Sequence, residues 1–123
     1  MFDLTAILAE IRAAGGDTAA VEVKSAAGRL PQTLPSTLGA FANRPGGGVV
    51  ILGLDEATGF KPVKLKNVQT LKQGLENQAR SFTPPVKVTI EDAIVDGEAV
   101  IVATIRECPD DQKPCQKTVF SRL

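Results

Sequence analysis

The run Val49-Val50-Ile51-Leu52-Gly53-Leu54 constrains the fold more than any other stretch of the chain. It is short, opens with three β-branched residues and has no polar alternation, so it reads as a central strand covered by apolar groups on both faces. A sheet built around such a strand needs a packing layer on each side. The 123 residues, 43% of them hydrophobic, match one ordinary domain with a single core. No internal repeat, low-complexity tract or linker divides it.

The flanking segments supply candidate layers. Leu4, Ile7, Leu8 and Ile11 recur at helical spacing, with Asp3 as N-cap and Gly15-Gly16 as the stop. Val21-Glu22-Val23-Lys24 alternates as a strand with one apolar and one charged face. A second helix is expected to begin between Gln32 and Leu34, to carry Leu34, Leu38, Phe41 and Ala42 inward, and to end at Asn43; Pro35 fits only its first turn. A third begins at Asn67 as N-cap, with Val68, Leu71, Leu75, Ala79 and Phe82 as its stripe and Gly74 permitting close packing. Two β-rich runs around Asp96-Gly97 read as a hairpin. After the opening helix the predicted order is β-α-β-α-β-β, and the tail is polar with a weak strand-like end at Thr118-Val119-Phe120.

Several chemistries are excluded by residue type. The chain has no histidine, which removes Ser-His-Asp and Cys-His machinery and the commonest general base. Cys108 and Cys115 are the two cysteines, expected as free thiols in a polar turn, since a zinc site would lack its remaining ligands. Gly46-Gly47-Gly48 follows a helix and precedes a strand, the reverse of a phosphate-binding loop, and no Gly-Lys-Ser/Thr is present. These glycines therefore read as a left-handed turn with close backbone passage. No segment approaches the roughly 20 apolar residues that span a bilayer, and no leader pattern opens the chain. A cytoplasmic protein without a membrane partner is expected.

Formal charge is zero overall but unevenly spread. Residues 1–23 sum to −3, residues 24–90 to +6 and residues 91–123 to −3. Lys24, Arg29, Arg44, Lys61, Lys64, Lys66, Lys72 and Arg80 are the candidate phosphate contacts within the basic middle. With five Phe, most of them core-like, and no Trp or Tyr, backbone contact is a better mechanism than base stacking. Asp55 follows the central run, and Glu22 and Lys24 share a strand face with Asp17 five residues before Glu22. Three carboxylates and a lysine that converged would suit a divalent cation and phosphodiester hydrolysis; scattered, they are ordinary solvated acids.

The segments Val21-Glu22-Val23-Lys24, Ala40-Phe41-Ala42-Asn43, Gly46-Gly47, Gly53-Leu54-Asp55 and Lys113-Pro114 together resemble the Schlafen-type Alba-like domain, a family labelled DNA-binding, over roughly residues 15–115. The resemblance implies an α/β (α+β) Alba-like sandwich, its mixed sheet packed by two main helices with an additional one at the N-terminus. It also implies the N-terminal part of a longer bacterial protein, regulator-like or helicase-related. In animal members the related domain pair is an endoribonuclease with an acidic triad, whose positions fall here on Asp17, Glu22 and Asp55 as metal ligands, with Lys24 beside the scissile phosphate. Mg or Mn is implied only by that activity. Aspartate at position 17 stands where glutamate is usual, and Val23 where Phe is. The family continues beyond Lys-Pro into a further strand, so the last strand is expected to be cut short.

The reading that follows is a single domain spanning 1–123 that binds DNA or RNA backbone without a resident cofactor. The alternatives are a metal-dependent endoribonuclease and a protein-interaction module. Further domains of a parent chain are expected partners, and the oligomeric state, a homodimer included, stays open.

Overall fold

The computed structural model describes residues 4–15 and 20–117. Asp3, Gly16, Asp17 and the Thr118-Val119-Phe120 segment lie outside the described residues. In chain order the elements are helix α1 (Leu4–Ala14), strand β1 (Val21–Lys24), α2 (Leu34–Ala42), β2 (Gly48–Leu52), β3 (Leu54–Asp55), β4 (Lys61–Pro62), α3 (Val68–Arg80), β5 (Phe82–Thr83), β6 (Val88–Val95), β7 (Glu98–Ile105) and β8 (Gln116–Lys117). Short 3-10 turns occupy Glu56–Thr58 and Asp110–Gln112.

Four strands form the main sheet in the order β1-β2-β7-β6. β1 and β2 run parallel, from Val21 opposite Val49 to Lys24 opposite Leu52, and the remaining pairs are antiparallel. A parallel pair cannot be joined by a tight turn, and α2 makes the crossover. The four strands with α2 and α3 thus reproduce the β-α-β-α-β-β order expected from the sequence. β2 lies inside the sheet with both faces covered. Val50 and Leu52 join one core with Leu34 and Leu38 of α2 and Leu71 and Leu75 of α3, whereas Ile51 joins another with Leu8 and Ile11 of α1, Leu54 and Phe60. The layers are two helices, the sheet, then one helix with the segment after β2.

Local chemistry sets the ends of these elements. Asp96 (φ 49°) and Gly97 (φ 81°) both take left-handed backbone between β6 and β7, the turn that an Asp-Gly pair favours. A Cβ at Gly74 would sit 2.7 Å from the Leu30 side chain, so this glycine does permit close packing.

Four sequence expectations need correction. The Val49–Leu54 run is not one strand: Gly53, at φ 112°, turns the chain out of β2, and Leu54–Asp55 pairs instead with Lys61–Pro62. Asn67 precedes α3 at φ 54°, not in the extended conformation that aims a capping side chain at the first-turn amides, and its side chain makes no cap bond. Phe82 is buried but lies on β5, because α3 ends at Arg80. Cys108 and Cys115 are free thiols, yet they are 7% and 3% exposed and belong to the core between sheet and helices, not to a polar turn.

Candidate nucleic-acid interface

β1 and β2 end side by side, and the chain beyond them is fastened across that end. The Gly53 N–H donates to the Lys24 carbonyl at 2.8 Å, and the Val63 N–H to the Gly53 carbonyl at 2.8 Å. Phe60 is buried on the α1 side of the sheet, while Leu65 and Val68 pack against the core on the other side. The segment between them therefore wraps the end of the sheet, and Lys61, Lys64 and Lys66 are left exposed along it.

The loop that follows β1 meets this segment. Ala26 is buried and anchors it, Leu30 packs on Gly74 of α3, and Arg29 between them is exposed. Arg29 and Lys66, 37 positions apart in sequence, line one groove of about 340 Å³ with Asn67 and Thr70 at the start of α3. The carboxyl ends of parallel strands are where open α/β sheets commonly bind ligands, because loops from neighbouring units converge there.

Ion pairing sorts the eight candidate cations. Lys72 pairs with Asp92 at 3.0 Å, Arg80 with Glu76 at 3.1 Å, and Lys24 with Glu22 at 3.5 Å. Arg44 folds onto its own turn, donating to the Gly47 carbonyl at 3.2 Å. Arg29, Lys61, Lys64 and Lys66 take part in none of the ion pairs among the described residues. All four belong to the two segments at the end of β1 and β2.

A second groove lies between β1 and α2. Glu22 and Lys24 face α2, where Thr33, Ser36 and Thr37 present hydroxyls into the same depression. Thr37 Oγ1 donates to Glu22 Oε2, and Lys24 Nζ donates to Thr33 Oγ1 at 2.9 Å. Asp55 does not line this groove; its Oδ1 accepts the Ala57 N–H at 3.1 Å and caps the following turn. Asp17 lies outside the described residues. Among those residues no group of three His, Cys, Asp or Glu side chains is placed to hold a metal ion, and the one acid in the groove is already engaged by a lysine and a hydroxyl. The described donors do not by themselves fit Mg or Mn.

The glycine turn lies at the opposite end of β2, and its purpose is packing. Gly46 and Gly47 have φ of 84° and 68°, and a Cβ on Gly47 would overlap the Ile105 carbonyl oxygen. The Gly46 N–H, the kind of group a phosphate loop offers, donates to Glu107 Oε1 at 2.9 Å. Lys113 lies 2.6 Å from Glu107 and 2.9 Å from Asp110. Lys113 first, and the Gly46 N–H next, hold the Glu107 carboxyl below its ordinary value; in return Glu107, then Asp110, holds Lys113 above its own.

Sequence reasoning missed two contacts. The Asn43 side chain clamps Cys115, its Nδ2 donating to the Cys115 carbonyl at 3.0 Å and its Oδ1 accepting the Cys115 N–H at 2.7 Å. No local pattern signals a contact 72 residues away. The hydroxyls of Thr33, Ser36 and Thr37 do carry a signal, since residues three and four apart share one helix face.

A mixed sheet with two helices over one face and a third over the other is an Alba-like α/β sandwich. The chain belongs to the Schlafen, AlbA_2 family, whose model it matches over residues 17–123. It is similar, at 25% identity and a TM-score of 0.74, to the N-terminal domain of a Nitrosomonas europaea protein described as ATP-dependent DNA helicase RecG-related, with 99% of this chain and 84% of that one covered. The DIP2311 protein of Corynebacterium diphtheriae shares the fold at 22% identity and a TM-score of 0.55, with 94% of this chain covering 23% of that one. No curated protein matches the chain. No helix among the described residues is long and apolar enough to cross a membrane.

Proposed function

We propose that this domain binds the phosphate backbone of nucleic acid, DNA or RNA, as one module of a longer bacterial regulator-like or helicase-related protein. The observation that carries the reading is the presence of Arg29, Lys61, Lys64 and Lys66, which enter no ion pair among the described residues, in the two segments at the end of β1 and β2. Lysines and arginines held by carboxylates release little on meeting a phosphate, whereas free ones replace condensed counterions. The family and the RecG-related neighbour support a role beside nucleic acid, and that neighbour is itself an N-terminal domain.

Fluorescence anisotropy of single-stranded RNA, duplex DNA and tRNA at two salt concentrations tests the reading. Binding that weakens steeply with salt is expected, and affinity retained after joint charge reversal of Lys61, Lys64 and Lys66 overturns it. The same samples with manganese, run on a denaturing gel, test the endoribonuclease reading, whose support is the groove that Glu22 and Lys24 share with three hydroxyl side chains. Fragments that disappear with Glu22→Ala would replace the binding module by that enzyme.

A further inference from the structure

On the side of the sheet opposite β1, β6 forms an edge, with no strand beyond it among the described residues. The Arg106 N–H donates to the Lys87 carbonyl at 3.0 Å, and the β6–β7 register runs without a break from Val88 opposite Ile105 to Val95 opposite Glu98. Amide groups alternate in direction along an antiparallel strand, so Lys87, Thr89 and Glu91 turn theirs toward β7, and Val88 and Ile90 turn theirs outward. Side chains alternate as well. Val88 and Ile90 pack on the side of α2 and α3, which leaves Lys87, Thr89 and Glu91 together on the other face. All three are exposed, and neither Lys87 nor Glu91 enters an ion pair among the described residues. An open row of N–H and C=O groups is a template for another strand, and the side chains along it decide which strand fits.

We propose that β6 is a homodimer interface, pairing antiparallel with β6 of a second copy about a two-fold axis through Thr89 to make one continuous sheet. This register sets Thr89 against Thr89, and Lys87 of each copy against Glu91 of the other. Val88 and Ile90 of the two copies then exchange backbone hydrogen bonds. Lys87 and Glu91 fall at the closer positions between those bonds, where facing Cα atoms are about 4.5 Å apart. Opposite charges directly across a strand pair stabilise it, and like charges destabilise it. An axis through Glu91 or Asp92 would set carboxylate against carboxylate, and one through Ile90 would leave Lys87 opposite Ala93. The pairing stops where Val86 gives its N–H to the Ala79 carbonyl and Pro84-Pro85 precede it. The basic ends of the two copies turn in opposite directions and stay uncovered, so the interface does not depend on nucleic acid.

Light scattering behind a size-exclusion column, over a range of concentrations, measures the mass of the chain and its variants. The wild-type chain is expected at twice its 12.9 kDa. Lys87→Glu and Glu91→Lys each set like charges across the pair, and each is expected to run as a monomer with unchanged circular dichroism. Mixing these two variants restores opposite charges at both positions, and the doubled mass is expected to return. Thr89→Cys is expected to give a covalent dimer under mild oxidation, reversed by dithiothreitol. A monomer mass for the wild-type chain at the highest concentration would overturn the proposal. So would single charge variants that stay dimeric, a mixture of them that stays monomeric, or Thr89→Cys chains that do not cross-link.

Discussion

Salt dependence gives the basic end a quantitative test. Each phosphate neutralised on duplex DNA contributes about −0.9 to the slope of log K against log salt, and each on a single strand about −0.7. Arg29, Lys61, Lys64 and Lys66, four cations at the ends of β1 and β2 that enter no ion pair among the described residues, therefore set slopes of about −3.6 and −2.8. Between 50 and 200 mM salt, duplex affinity should fall by about 150-fold for the unsubstituted domain. Replacing Lys61, Lys64 and Lys66 together by alanine leaves one such contact, and the fall over the same range shrinks to about 3.5-fold. Lys72→Ala with Arg80→Ala removes two charges already neutralised by Asp92 and Glu76, and is expected to leave the slope within about half a unit. Anisotropy titrations at four or five salt concentrations read both slopes directly. An unchanged slope in the triple variant, or an equal loss in the Lys72 and Arg80 pair, would refute the assignment, since net charge alone would then account for the binding.

Three further outcomes follow from the packing and the ion pairs. Gly47→Ala places a Cβ against the Ile105 carbonyl at a φ of 68°, and is expected to cost about 3 kcal/mol or more in urea unfolding. Asn43→Ala leaves the Cys115 N–H and carbonyl without their clamp and should cost about 2–3 kcal/mol, read as a lower urea midpoint with an unchanged m-value. Glu107 titrates below its ordinary 4.5 when folded, so its contribution is complete above that pH and disappears as pH falls through the lower folded value; Glu107→Gln should flatten the acid limb of melting temperature against pH. Lys113 mirrors it, contributing below 10.5 and losing that contribution as pH rises through its higher folded value.

The elements legible in the sequence are those that one local rule decides. Period-3.6 apolar spacing placed α1, α2 and α3, and Asp96-Gly97 fixed the hairpin, because neither depends on distant neighbours. Where a residue answers to two demands, sequence was a poorer guide. Gly53 continues an apolar run, yet its left-handed backbone is what turns the chain out of β2 and sends Asp55 into a separate ribbon. Phe82 keeps helical spacing with Ala79 and Leu75, yet it reaches the core from extended chain lying against Gly39. The cysteines stand among Glu107, Asp110 and Asp111, and only the long-range hold of Asn43 and Ala42 draws them inward.

The candidate site shows the same limit from the side of electrostatics. A net +6 over residues 24–90 is visible in composition, but the pairing of Lys72 is decided by a partner outside that window. Asp92, which neutralises Lys72, sits on β6, and its reach to α3 depends on β6 lying at the edge of the sheet beneath that helix. Arg29 and Lys66 gain a common groove only because Gly74 lets Leu30 close against α3 and draw the β1 loop toward the helix start. A larger side chain at position 74 would push Leu30 away and move Arg29 with it. The glycine that costs the helix about 1 kcal/mol of intrinsic propensity is thus the residue on which convergence of the two basic segments depends.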